Sequence, residues 1–289
     1  MNGVRSRLRR TLEPVLARFP RRTRAGDRLI LAYHNIRPAG TRPFGDRSLH
    51  LALDHFEAQL RVIRQEADIV PLMELLNTHV AQSRRVAITF DDAYASAVTI
   101  GVRACVDAGA PCTIFVTPGL LGTIPIWDRR GDANKWTERD RTAFLWEDGG
   151  IDTAISSSHA TPSAARIATH EELVIAAQHP GVSLGAHTMT HPNLGVLTAA
   201  DARRELGDSW EWVRERFPRQ AVPVAAYPFG IAPGDAAAVC AASGLSFGAL
   251  VSGGWMRVRP AAHAVPRWNV PAGISRNGFL LRLRGRLIG

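Results

Sequence analysis

The sequence predicts an α/β fold in which parallel strands are wrapped by helices in a barrel. Three observations predict it. Short apolar, β-branched runs alternate with amphipathic helical segments along most of the chain. Two of those runs end abruptly in side chains suited to chemistry: Asp91-Asp92 after Ala87-Ile88-Thr89-Phe90, and His187 and His191 after Val182, Leu184 and Ala186. Barrel proteins place their sites at such C-terminal strand ends. Finally, 289 residues at 46% hydrophobic and 21% charged suit a globular chain with room for one large α/β domain or two smaller ones.

The elements follow in order. Between Arg5 and Arg18, Val4, Leu8, Leu12, Val15, Leu16 and Phe19 recur at near-helical spacing among arginines. That segment is either a basic amphipathic helix on an anionic surface or a solvated arm. Pro20 to Arg28 reads as a linker. Leu29 to His34 is the first strand, with His34 at its end. Asp54-His55-Phe56-Glu57 has the capping-box pattern and opens a helix with Phe56, Leu60 and Ile63 on one face. Ile69 to Leu72 is a short strand leading into a helix through Leu76. Val86 to Phe90 is the next strand, Ala95 to Ala108 a helix stopped by Gly109, and Cys112 to Val116 a strand.

Gly122 to Ala168 breaks the rhythm. It is long and polar, yet holds Trp127, Trp136, Phe144 and Trp146, as a lid or binding insertion does. A helix starts at Thr169 and ends near His179-Pro180-Gly181, before the His187 strand. Ala199 to Phe217 is helical, Val224 to Tyr227 a strand, Asp235 to Ser243 a helix and Phe247 to Val251 a strand.

Alone, Asp91-Asp92 fits a turn or helix cap, and two histidines four apart fit a solvated helix face. Gly185 and Pro192 argue against a regular helix there. Together, two strand ends supply complementary groups. One carboxylate and two imidazoles form a common three-ligand set for a catalytic divalent metal, with a position left for water or substrate. The second carboxylate is then available as a base.

Thr89-Phe90-Asp91-Asp92 and His187-Thr188-Met189-Thr190-His191 resemble the first two motifs of the polysaccharide deacetylases, the NodB-homology or carbohydrate esterase 4 family. The resemblance covers roughly residues 29–272. It implies a single-domain, TIM-like distorted (β/α)7 barrel and metal-dependent hydrolysis of N-acetyl groups on sugars of a polysaccharide or glycolipid. It also implies that Asp92, His187 and His191 hold the metal, most often Zn²⁺, and that Asp91 is the general base. A metal-dependent hydrolase of a non-sugar amide, or a non-catalytic saccharide-binding protein with a vestigial site, are the alternative readings.

The third family motif, Arg-Pro-Pro-Tyr-Gly, stands here as Ala226-Tyr227-Pro228-Phe229-Gly230. The arginine is missing. The Phe229 backbone N–H remains as an oxyanion donor, because that role needs no side chain. Arg267 is the candidate for the missing charge beside Asp91; the plainer reading makes it a surface residue. The family's late Leu-x-His is not evident either. Tyr33-His34 resembles the subgroup acting on poly-N-acetylglucosamine-type exopolysaccharides, in which this histidine supplies the acid. His263 lies near the family's usual position for the late histidine, but His34 is preferred because it ends a barrel strand, whereas His263 sits among Pro260, Ala261 and Ala262 in what reads as a loop. Trp127-Asp128 either lines a sugar cleft or anchors the insertion. His50, His55, His79, His159, His170 and His179 read as surface residues.

The net charge of +9 is confined to the ends. Residues 1–28 carry nine arginines against Glu13 and Asp27, and the tail from Arg276 carries four with no acid. Lys135 is the only lysine, so the arginine content reflects a bias of usage and not phosphate recognition. No nucleic-acid motif is present, and none is expected to bind. The tail, 273–289, is apolar and basic, and peripheral membrane contact through both termini is expected of it and of the arm, 1–28. Cys105, Cys112 and Cys240 lack C-x-x-C spacing and read as reduced, buried thiols. With no signal-peptide h-region before the first strand, the expected setting is the cytoplasm, peripheral at the inner membrane face.

Overall fold

The computed structural model describes residues 24, 26–41, 46–77, 83–129, 165–256 and 259–285. The N-terminal amphipathic pattern, His79, Lys135, Trp136, Phe144, Trp146, His159 and the last apolar residues of the tail lie outside the described residues.

The core is a parallel sheet of β1 (Arg28–Tyr33), β5 (Arg85–Phe90), β6 (Cys112–Val116), β7 (Val182–Ala186), β8 (Ala221–Ala226), β9 (Phe247–Ala249) and β10 (Trp268–Asn269). Their spatial order is β10-β1-β5-β6-β7-β8-β9. A short β4 (Asp68–Ile69) pairs with the start of β5. The stretch that ends in β10 closes the curl. Val265 bridges to Ala249 of β9, and three residues later Trp268 pairs with Leu31 of β1. The result is a distorted (β/α)7 barrel. The strands are almost wholly buried, as their continuous apolar runs require when helices cover the outside.

The helices α1 (Leu53–Glu66), α2 (Leu72–Asn77), α3 (Val102–Asp107), α4 (Ile126–Arg129), α5 (His170–Ala177), α6 (Ala199–Arg216), α7 (Ala236–Ala242) and α8 (Arg276–Leu283) surround the sheet. A π-helical turn at Ala97–Gly101 precedes α3 inside the helix expected over Ala95 to Ala108. A second, two-stranded parallel sheet pairs β2 (Asn35–Arg37) with β3 (His50–Ala52), neither of which the alternation signals.

Several expectations are corrected. Asp54 does not cap α1: the N-cap is Ala52, two residues earlier, without a side-chain cap, and Asp54 lies inside the first turn. The capping box forms instead at α5, where Thr169 and Glu172 bond each other's backbone reciprocally. Part of the tail's apolar content is committed to the protein core. Phe279, Leu281 and Leu283 are fully buried in the core beneath α8, and Arg284 pairs with Glu66 at 2.8 Å. A helix that buries one apolar stripe and exposes arginines reads identically to an interfacial one in sequence. Among the described residues no helix is long and apolar enough to cross a membrane. All three cysteines are free and buried.

Gly185 sits where β7 runs between β6 and β8. A Cβ there would lie 2.7 Å from the Val224 carbonyl oxygen and 2.6 Å from a Phe115 ring carbon. Gly185→Ala therefore has to move the strand that delivers His187. The expected cost is about 1–3 kcal/mol in urea unfolding, the range for overpacking.

Candidate active site

The end of β5 places the two carboxylates. Asp91 is held by its backbone N–H, which donates to the Tyr33 carbonyl at 2.8 Å. Asp92 and Ala93 then turn sharply, with φ of 64° and 59°. The end of β7 places the imidazoles through a second sharp loop, in which Thr188 and His191 have φ of 64° and 65°. Such left-handed backbone at non-glycine residues costs roughly 1–3 kcal/mol each and persists only where surrounding contacts enforce it. Here Glu205 of α6 enforces it. Its carboxylate accepts from the Met189 and Thr190 backbone N–H groups, both at 2.8 Å, and from the Thr190 hydroxyl at 2.7 Å. Glu205→Ala leaves those donors unpaired. A loss of about 1.5–3 kcal/mol is expected from bonds to a charged group, measurable as a lower thermal midpoint.

The structure brings Asp92, His187 and His191 together. One ligand atom from each lies within 4.8 Å of the others, and all three residues are buried. His187 Nε2 and His191 Nε2 stand 3.2 and 3.3 Å from Asp92 Oδ1. Neither contact meets hydrogen-bond alignment, so Asp92 Oδ1 is buried without a partner among the described residues. His187 Nδ1 lies 2.8 Å from the Ala226 carbonyl, where it donates, so the Nε2 lone pair faces Asp92. Lone pairs converging on one buried point are costly unless a cation sits between them. The cluster fits a metal ion on that ground.

Burial works against the charged form of Asp92, but the two imidazoles hold its carboxyl well below the ordinary 3.8. Burial likewise works against protonation of both histidines. It prevails at His191, which is lowered, whereas the contact with Asp92 and the charge of Asp91 leave His187 raised.

Asp91 has a different partner. Arg267 is fully buried and grips it with both forks, Nη1 to Oδ1 at 2.6 Å and Nη2 to Oδ2 at 2.8 Å. The guanidinium also donates to Thr89 Oγ1 at 3.1 Å and to the Leu250 carbonyl at 3.2 Å. Burial pushes the Asp91 carboxyl up, but Arg267 outweighs it and holds the group below its ordinary value. The surface reading of Arg267 is thereby excluded. The guanidinium beside Asp91 thus comes from the residue just before β10 and not from the third motif, where Ala226 stands.

A cavity of about 210 Å³ is lined by Asp91, Asp92, His187, His191, His34, Phe229 and Trp127, all named by the sequence, and Arg267 lies behind Asp91. His34 follows β1 directly and is half-buried. His263 is not among the lining residues; its carbonyl accepts from the Tyr227 hydroxyl at 3.2 Å. Phe229 has φ of 58° and packs its ring edge-on to His191, with centroids 4.9 Å apart. Asp46, Ser48, Leu49, Tyr227, Val251 and Asn269 also line the cavity, and the sequence does not single them out. Only Asp46 carries a signal: its Oδ1 accepts from the Ser48 N–H and hydroxyl, the two-residue pattern of an Asx turn.

Asp128 and His50 are corrected. His50 is buried, not at the surface. Its Nε2 lies 3.0 Å from Asp128 Oδ1, and its Nδ1 lies 3.0 Å from the Asn35 amide. Asp128 also accepts from the Tyr94 hydroxyl at 2.6 Å and the Asp46 N–H at 3.1 Å. Of the pair, Trp127 faces the cavity, while Asp128 is committed to protein groups. His170 packs against Trp212 and Phe217.

The class this fold and site define is a barrel hydrolase with a paired carboxylate, two imidazoles and a buried arginine at its strand ends. The sequence model of the polysaccharide deacetylases matches residues 79–248, more than half of the chain. The chain belongs to that family, hydrolases of carbon–nitrogen bonds. Among solved structures it is similar to the Streptococcus pyogenes deacetylase PplD in complex with acetate. That match has 18% identity and a TM-score of 0.64, over 90% of this chain and 99% of that one. IcaB from Ammonifex degensii matches at 16% identity and a TM-score of 0.66, over 90% and 98%. The BpsB deacetylase domain from Bordetella bronchiseptica matches at 16% and 0.58, over 87% and 98%. No curated protein matches the chain by sequence.

Proposed function

We propose that this protein removes N-acetyl groups from N-acetylated sugars of a polysaccharide or glycolipid precursor, with Zn²⁺ held by Asp92, His187 and His191. The observation that carries the proposal is the buried Arg267–Asp91 pair, which sets an ionised carboxylate beside the Asp-His-His cluster in one cavity. The spacings of 3.2 and 3.3 Å support zinc. Ligands at about 2.0–2.1 Å from a tetrahedral ion stand about 3.3 Å apart.

A divalent ion there supplies Lewis acidity and lowers the pKa of water in the cavity to about 7. Asp91, kept ionised by Arg267, accepts the proton of the attacking water. The Phe229 backbone N–H donates to the oxygen on which negative charge develops. His34 gives its proton to the nitrogen as the carbon–nitrogen bond breaks, so the amine departs neutral and leaves acetic acid, which then loses its proton to give acetate.

The test is acetate release from N-acetylglucosamine oligomers and glycolipids by zinc-loaded protein. Release abolished by chelator and by Asp91→Asn supports the reading. Zinc bound one per chain with no release from any acetylated sugar refutes the sugar substrate and favours a non-sugar amide or a binding role.

A further inference from the structure

The two histidines of the cluster are oriented by different means. His187 is fixed in the usual way, by the hydrogen bond from Nδ1 to the Ala226 carbonyl. His191 has no such bond: its Nδ1 is buried and finds no hydrogen-bond partner among the described residues. Its ring is instead clamped between aromatics. The Trp127 indole lies over it with centroids 4.4 Å apart and planes 40° apart, and the Phe229 ring closes from another side at 4.9 Å.

The indole is in turn locked. Trp127 Nε1 donates to the Tyr94 hydroxyl oxygen at 2.8 Å, and that hydroxyl donates to Asp128 Oδ2 at 2.6 Å. The other oxygen of Asp128 receives His50 Nε2 and the Asp46 N–H. One buried carboxylate therefore ties together α4, the turn after β5 and the segment entering β3. Every link is buried, so each is strong and each is costly to leave half-made.

We infer that Trp127 is a positioning residue for His191, and that the Tyr94–Asp128 pair holds the indole in the pose that aims His191 at Asp92. This rests on the metal reading above. It assigns to ring packing the work that a second hydrogen bond does for His187.

The experiment measures the Zn²⁺ dissociation constant by competition with a chromogenic chelator, with the melting temperature of metal-free protein recorded in parallel. Trp127→Leu is expected to weaken zinc about 10–100-fold, the range for loss of an orienting partner. Tyr94→Phe removes only the hydroxyl that links indole and carboxylate. It is expected to weaken zinc in the same direction by a smaller factor, with the metal-free protein still folded. Unchanged affinity in folded Tyr94→Phe overturns the inference even if Trp127→Leu fails to fold. A parent protein that binds no zinc overturns the metal reading itself, which is a separate and recognisable result.

Discussion

Asp91→Asn is expected to lower the rate of acetate release by about 10²–10⁴-fold, the contribution of a general base. The substitution keeps the shape of the side chain and one acceptor for Arg267. What it removes is the ability to take a proton. Asp92, His187 and His191 are untouched, so metal stoichiometry is expected to stay at that of the parent. The measurement is therefore double: acetate release and metal content on the same preparation. A variant that keeps the parent's rate would remove Asp91 from the chemistry and leave the Asp92 side as the site of proton transfer.

Arg267→Met is expected to destabilise the protein by about 3–5 kcal/mol, because it strands a buried carboxylate without its partner. Both side chains are essentially inaccessible, at 0% and 3% of their surface, so water cannot take over. Arg267→Lys is not expected to rescue it: an ammonium cannot make two parallel bonds to Asp91 while reaching Thr89 and Leu250. The pH dependence has a definite sign. In the parent, Arg267 holds the Asp91 carboxyl below 3.8, so its stabilisation is present above the unfolded value and is lost as pH falls through the folded one. In Arg267→Met the largest influence that favours the charged form is gone, and burial, opposed only by the charges of His187 and His34, favours the protonated form, so the penalty appears as pH rises above the unfolded value. The gap in stability between parent and variant is thus widest near neutrality and narrows on acidification below about 4. Denaturant titrations of metal-free protein at both ends of that range check it. A gap independent of pH would show that the loss comes from packing and not from charge.

The parts of the site that are legible in the sequence are those encoded locally. Asp91, Asp92, His187 and His191 each sit at the end of their own strand, where the apolar run itself announces the position. The Arg267 pairing is nameable but not placeable from sequence. It lies 176 residues from Asp91, and the strand that follows it is only Trp268–Asn269, too short to show a pattern. The Tyr94–Asp128–His50 network is illegible for the same reason: its members meet across 34 and 78 residues. His50 reads as surface because nothing marks β3 as a strand. The burial of Phe279 and Leu283 is illegible in the tail because it depends on packing beside α1, which no window on the tail contains. Its helix ends at Leu283 with Arg284 as the C-cap, and Gly285 follows with φ of 69°, a left-handed turn that suits a glycine.

The closing of the barrel bears on where this protein can be cut. The region recognised by the family's sequence pattern, 79–248, stops short of both β1 and β10. A fragment trimmed to that region would keep both carboxylates and both metal-side histidines, and would look complete by motif. It would lack the strand on one flank of β5, the His34 that follows it, and the arginine that keeps Asp91 charged. The family motifs and the complete candidate site therefore have different boundaries in this chain.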